Sequence, residues 1–177
     1  MDPVAAIRSR LEESRGQFEN HEFDEKIQTG MEDSLISLSR SVDLHAASVY
    51  VCSRRCKTLQ NLAAYNGGVN FIGRVRFENG YGLSAWVAKK QQTIYLPDIH
   101  RGSRHGHAPV RSYASLPMVQ DEDILGVLNL AHIKPNAFER PEMTTIKSYI
   151  ESLKPILQMY QRHHNGFREQ KENPSHR

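Results

Sequence analysis

Apolar residues near the start of the chain recur at intervals of three and four: Val4, Ile7 and Leu11, then Phe23, Ile27, Met31, Leu35 and Leu38. That spacing lines one stripe of a helix, so residues 1–41 are expected to form amphipathic helices, broken near Gly16–Asn20. The period then changes. "AASVYVC" (Ala46–Cys52) has the β-branched and aromatic content of a strand, and "TLQNLAAY" (Thr58–Tyr65) follows after a charged turn, which predicts a hairpin. "RVRFE" (Arg74–Glu78) alternates polar and apolar, as a strand with one wet face does.

Leu83, Trp86 and Val87 predict a short helix between Gly82 and Gln91, and "TIYL" (Thr93–Leu96) returns as a strand ended by Pro97. Two more strands, "SYASLPMVQ" (Ser112–Gln120) and "ILGVLNLAHI" (Ile124–Ile133), flank the polar turn "DED" and form a second hairpin. Ile146, Tyr149, Ile150, Leu153, Leu157 and Tyr160 then return to helical spacing, with Pro141 in the first turn and Pro155 inside. The order of helix, hairpin, strand, short helix, strand, hairpin and helix gives an α+β class. Residues 1–41 read as leading helices, 42–164 as the core with its closing helix, and 165–177, "NGFREQKENPSHR", as a polar tail or the start of a linker.

Composition narrows the class. With 177 residues, 38% of them apolar, the chain suits one domain with its own core. No apolar run approaches the roughly 18 residues that cross a bilayer, and the opening "MDPVAAIRSRLEESRGQ" is charged where a signal peptide is apolar, so a cytoplasmic protein without membrane contact is expected. Lys and Arg exceed Asp and Glu by only 23 to 20 and are interleaved with them, which gives no stripe for a nucleic acid. Cys52 and Cys56 fit neither a zinc pattern nor a redox C-x-x-C; they read as two reduced thiols at a strand end and its turn, or as a low-pKa thiolate beside Arg54 and Arg55.

"GYGLSAWVAKKQQTIYLPDIH" (Gly80–His100) contains G-x-G-x-x-A before a helix and an aspartate after a strand, the outline of a dinucleotide fingerprint. That fingerprint needs a strand buried on both faces and a crossover helix long enough for a unit of roughly 30 residues. "RVRFE" is wet on one face and the helix is short. The same stretch, followed by "VRSYASLPMVQDEDILGVLNLAH" and "NAFERPEMTTIKSYIESLKPILQ", resembles the GAF domain family of bacterial signalling proteins, from about Leu35 to Tyr160. The resemblance implies a GAF-like, PAS-like antiparallel sheet of about six strands, with terminal helices on one face and the short helix and loops on the other. It also implies a sensory module that holds a small molecule between the sheet and the segments from Gly80 to Tyr113, forms a homodimer through its first and last helices, and acts on an output domain or partner.

Several family chemistries fit poorly. Members that bind cyclic nucleotides carry Asn-Lys after the "GVLxL" strand, then Phe and Asp-Glu; here these places hold His132-Ile133, Phe138 and Arg140-Pro141. Covalent bilin needs a cysteine near the pocket, and both cysteines lie upstream. In "HGHAPVRSYASLPM" the chain resembles haem-binding sensors, with His107 at or near the place of their axial ligand; a histidine hydrogen-bonded within its own loop is the other reading. The cofactor therefore stays unknown, haem included. His100, His105 and His107 lack the geometric spacing of a metal site and read as a solvated loop.

The expected ligand-binding residues are Trp86, Asp98, His107, Arg111, Tyr113 and Asn129. Each has a plainer alternative. Arg111 clamps an anion or pairs with Asp98; Trp86 and Tyr113 line a pocket or belong to the core; Asn129 bonds a ligand or the backbone at a strand edge. No catalytic residues are expected. The family's free methionine sulfoxide reductases use cysteines around the pocket, whereas this chain has none after Cys56, and Ser84 and Ser115 lack a nucleophile elbow. A non-enzymatic sensor results, with a ligand-free dimerisation module as the alternative. Leu11, Leu35, Leu38, Leu153, Leu157 and Tyr160 are expected to form the dimer seam, as a surplus beyond what one sheet face requires.

Overall fold

Phe23, Ile27, Met31, Leu35 and Leu38 all lie buried on one stripe of helix α1 (Asn20–Ser41), which runs without a break. The computed structural model describes residues 20–53, 58–67, 76–77, 80–100 and 110–172, with the single positions Ala5 and Ser9. The expected break near Gly16 and the helical stripe at Val4, Ile7 and Leu11 lie outside them.

Five strands form one antiparallel sheet: β1 (Ala46–Cys52), β2 (Leu59–Tyr65), β5 (Ile94–Leu96), β6 (Ser112–Gln120) and β7 (Asp123–His132), in the order β2-β1-β7-β6-β5. Both hairpins appear as the sequence pattern predicts. The β6–β7 turn is two residues, Asp121 and Glu122, both at positive φ (50° and 68°), the geometry that follows the twist of paired strands. The expected sixth strand is not in the sheet. Only Arg76–Phe77 of that stretch is described as strand (β3), and it pairs with Gly80–Tyr81 (β4) in a separate two-stranded ribbon.

Side chains alternate across the sheet, so each strand serves two layers. Ala47, Val49, Val51, Leu116, Met118, Leu128 and Leu130 pack with α1 and the closing helix α3 (Arg140–Glu172), together with Phe138, Ile146, Leu153, Ile156 and Leu157. At about 25 cal/mol per Å2 of apolar surface removed from water, this layer is the main source of stability. The other face carries the short helix α2 (Gly82–Lys90). Gly82 enters α2 at φ +79°, a conformation that suits glycine. Gln91 ends it at φ 53° with its N–H on the Val87 carbonyl (2.7 Å), while Lys89 and Lys90 in the last turn complement the helix dipole.

Two further expectations change. Leu35, Leu38, Leu153, Leu157 and Tyr160, expected as surplus for a dimer seam, are all buried within this one chain. The twisted five-stranded face needs two helices to cover it, and these residues are that cover; Leu11 lies outside the described residues. The backbone also stays helical to Glu172, past the point where a polar tail is expected, because Arg168, Glu169, Gln170, Lys171 and Glu172 are all good helix formers.

Candidate functional site

Asn129 occupies the middle of the central strand β7, fully buried, and its side chain points toward α2. Strand register sets Ser48 of β1 and Ser115 of β6 directly beside it, so a polar row crosses three strands on an otherwise apolar sheet. The Asn129 Oδ1 accepts from the Ser115 hydroxyl (2.7 Å) and the Tyr113 hydroxyl (3.0 Å). Its Nδ2 donates to Ser84 Oγ on α2 (2.8 Å) and, more weakly, to Ser48 Oγ (3.4 Å). All five residues are buried. An amide in this position is affordable because both its acceptor and its donor ends are engaged; a buried polar group left unmade costs about 1–3 kcal/mol.

The strand-edge or backbone bond expected for Asn129 is not the arrangement present, since its partners are side chains from three elements, β1, β6 and α2. Tyr113 is fully buried and belongs to the same cluster. Ser48, Ser84 and Ser115 were not expected there. For two of them the signal was present in the alternation of "AASVYVC" and "SYASLPMVQ", where Ser48 and Ser115 fall on strand positions that face α2, but only the register of the sheet brings them to Asn129, and Ser84 comes down from α2 itself.

Beside this polar patch the same face is apolar. Val87 and Ala88 of α2 pack on Val127, and Tyr50, Leu59, Trp86, Ile94 and Ile124 close around them, each half-buried. Trp86 therefore sits in a small core with one side open.

Asp98 and Arg111 meet. The Arg111 Nε and Nη2 reach the Asp98 Oδ1 at 3.0 and 2.6 Å, and the His100 Nε2 stands 3.0 Å from the Asp98 Oδ2. The backbone closes the same place: Ile99 N–H bonds the Arg111 carbonyl (2.7 Å), and Arg111 N–H bonds the His132 carbonyl (2.8 Å). Of the two alternatives for Arg111, pairing with Asp98 is the one present. The pair is about one-third exposed (34% and 31%), so it is worth at most about 1 kcal/mol. His107, with His105, lies outside the described residues.

His132, at the place where cyclic-nucleotide binders carry asparagine, has a structural role. Its Nδ1 accepts the Lys134 N–H (2.8 Å) and its Nε2 faces the Asp43 carboxylate (3.3 Å), which Lys134 also holds (3.0 Å). Those two partners hold the Asp43 carboxyl below its ordinary range. Cys52 is buried at the end of β1, and burial pushes its thiol up, the opposite of a reactive thiolate. The plainer reading of Cys52 stands; Cys56 lies outside the described residues.

Chemically, the α2 face offers hydroxyls and one carboxamide, donors and acceptors that are neutral at physiological pH. Among the described residues, such a set recognises polar atoms.

A family model described as GAF domain matches residues 29–157. Among solved structures, the chain is similar to a type II free methionine-R-sulfoxide reductase from Thermoplasma acidophilum (TM-score 0.59, 14% identity, 77% of this chain and 96% of that one). It is also similar to the GAF domain of an Acinetobacter phosphoenolpyruvate-protein phosphotransferase (TM-score 0.55, 13% identity, 88% and 92%). A third likeness is to the free methionine-R-sulfoxide reductase from Neisseria meningitidis in complex with its substrate (TM-score 0.56, 16% identity, 76% and 79%). No curated protein sequence matches. At these identities the structural likeness carries the fold; the same fold here houses both enzymes and regulatory domains.

Proposed function

Because this chain belongs to the GAF domain family of sensory and regulatory domains, we propose that it is a non-enzymatic sensor that takes a small, polar, uncharged molecule on the α2 face of its sheet. The observation that carries this reading is the Asn129 cluster, a fully buried polar row on a central strand, next to a half-open apolar patch that includes Trp86. A ligand with a flat apolar part and neutral polar edges matches both halves: the apolar part lies against Trp86 and Ile94, and the edges exchange hydrogen bonds with the serines and Tyr113.

Asp98 and Arg111 form the rim in this reading. An anionic ligand has to compete with Asp98 for Arg111, which favours a neutral one. A porphyrin would lay a broad apolar face on hydroxyls and an amide, so haem on His107 is the weaker alternative. Enzymatic sulfoxide reduction needs a thiolate at the substrate, and the burial of Cys52 and its raised thiol argue against that residue as the nucleophile. Ligand entry shifts the docking of α2 on the sheet and passes to the helical layer, and from there to a second copy or an attached output domain. Because the leucines of that layer are used within the chain, a dimer contact has to come from other surfaces of α1 and α3.

The test is a thermal-shift screen of neutral heterocycles, amides and amino-acid derivatives on the wild type and on Ser84→Ala. A hit that raises Tm in the wild type by several degrees more than in the variant supports the reading. Stabilisation only by anions, or equal shifts in both proteins, contradicts it.

A further inference from the structure

We propose that the contact between the first turn of α1 and residues 160–164 of α3 is a proton-responsive clasp, closed by a neutral His163 stacked on Phe23 and released when that ring takes up a proton. The two helices run antiparallel, and residues 160–164 of α3 meet Phe23 and Asp24. The His163 ring lies over Phe23 with centroids 3.8 Å apart and planes 25° from parallel. Its Nε2 is out of solvent. Beside it, the His164 Nε2 stands 2.7 Å from the Asp24 Oδ1, and the His164 ring tilts against Tyr160 at 4.3 Å.

The charged and titratable groups around His163, among the described residues, are Asp24 from α1 and Tyr160 and His164 from α3. They divide. Burial disfavours the charged ring most, a protonated His164 adds repulsion, and Asp24 alone favours the charge; the balance lowers the His163 pKa from its ordinary value. Asp24 is already engaged by His164, so it offers little to a second cation. Tyr160 is no counter-charge, since burial and Asp24 push its hydroxyl up to about 12.

With its pKa lowered in the docked state, His163 binds fewer protons docked than free. Its contribution to the clasp is complete above the free value of about 6.5 and drains away as pH falls through the lower, docked value. Acid therefore frees residues 160–164 of α3 from the start of α1 while the sheet, which has no titrating group at its centre, stays intact.

Hydrogen exchange on the full chain tests this at pH 7.5 and 5.5, corrected for intrinsic rates, in the wild type, His163→Phe and His164→Gln. The wild type is expected to lose protection at the start of α1 and around residues 160–164 of α3 at pH 5.5, with the β6 and β7 amides unchanged. His163→Phe, which keeps the stack without the proton site, is expected to hold its protection at pH 5.5, and His164→Gln to show the acid loss still. Equal acid loss in His163→Phe, or no loss in the wild type, overturns the proposal. Should His163→Phe misfold, an NMR titration of the wild-type ring decides: titration below about 6.5 supports the clasp, and titration at or above it refutes it.

Discussion

The Asn129 Nδ2 stands 2.8 Å from the Ser84 Oγ, and this bond ties the centre of the sheet to the short helix above it. The same amide also reaches Ser48, Tyr113 and Ser115, so a single side chain joins β1, β6, β7 and α2. A hub of this kind fixes where α2 sits, and a molecule entering beneath α2 has to exchange hydrogen bonds with it.

Replacing Asn129 by Leu keeps the volume and removes both ends of the amide. Four hydroxyls on three elements then lose a partner in a buried place, and the variant is expected to be less stable by at least about 2 kcal/mol in urea unfolding. Ser84→Ala removes the acceptor of the Asn129 amide and should cost about 1 kcal/mol or more, with faster hydrogen exchange confined to α2. A neutral Asn129→Leu would mean that the cluster does not hold the fold.

Gly126 lies where β7 passes β1. A Cβ there would stand 2.1 Å from the Tyr50 carbonyl oxygen, a backbone atom that cannot yield without parting the two strands. Gly126→Ala is therefore expected to destabilise the protein by about 3 kcal/mol or more, or to leave it insoluble. Gly67→Ala is the control: its φ is +77° but nothing lies within 4 Å of the added atom, so only the backbone cost of about 1 kcal/mol applies.

At the β6–β7 turn, Glu122 holds φ 68° without being glycine. Glu122→Gly should relieve that strain and raise stability by up to about 1 kcal/mol, read as a higher Tm. Its carbonyl bond from Gln91 Nε2 (2.9 Å) is a backbone contact and survives the change.

Much of this architecture is legible in the sequence, because it is built from local periods. The stripe from Phe23 to Leu38, the alternation of the two hairpins and the turn at Asp121 all follow from spacing and turn chemistry. The polar cluster is not legible in the same way: Ser48, Ser84 and Ser115 are ordinary residues until the register sets two of them on either side of Asn129 and the third above it. Leu35, Leu38, Leu153, Leu157 and Tyr160, expected at a dimer seam, pack inside the chain for a related reason. A helical stripe of leucines looks the same whether it meets a sheet or a second chain, and only the packed structure shows that the described part of it is used within this chain.

Cys52 offers a check on the non-enzymatic reading. Buried, with its thiol pushed up, it should react with a disulfide reagent at pH 7 far more slowly in the native protein than in denaturant, in a Cys56→Ser background. Rapid modification of the native protein would restore a thiol chemistry to the domain.

The most direct measurement of the central claim is a two-dimensional NMR titration of the native protein with the strongest neutral hit from the thermal-shift screen, following the Asn129 side-chain amide and the Trp86 indole. Binding on the α2 face predicts saturable shifts at both signals, together with loss of those shifts in Ser84→Ala or weaker affinity there. Saturable binding that leaves Asn129 and Trp86 unmoved while shifting other residues would place the ligand elsewhere and contradict the account.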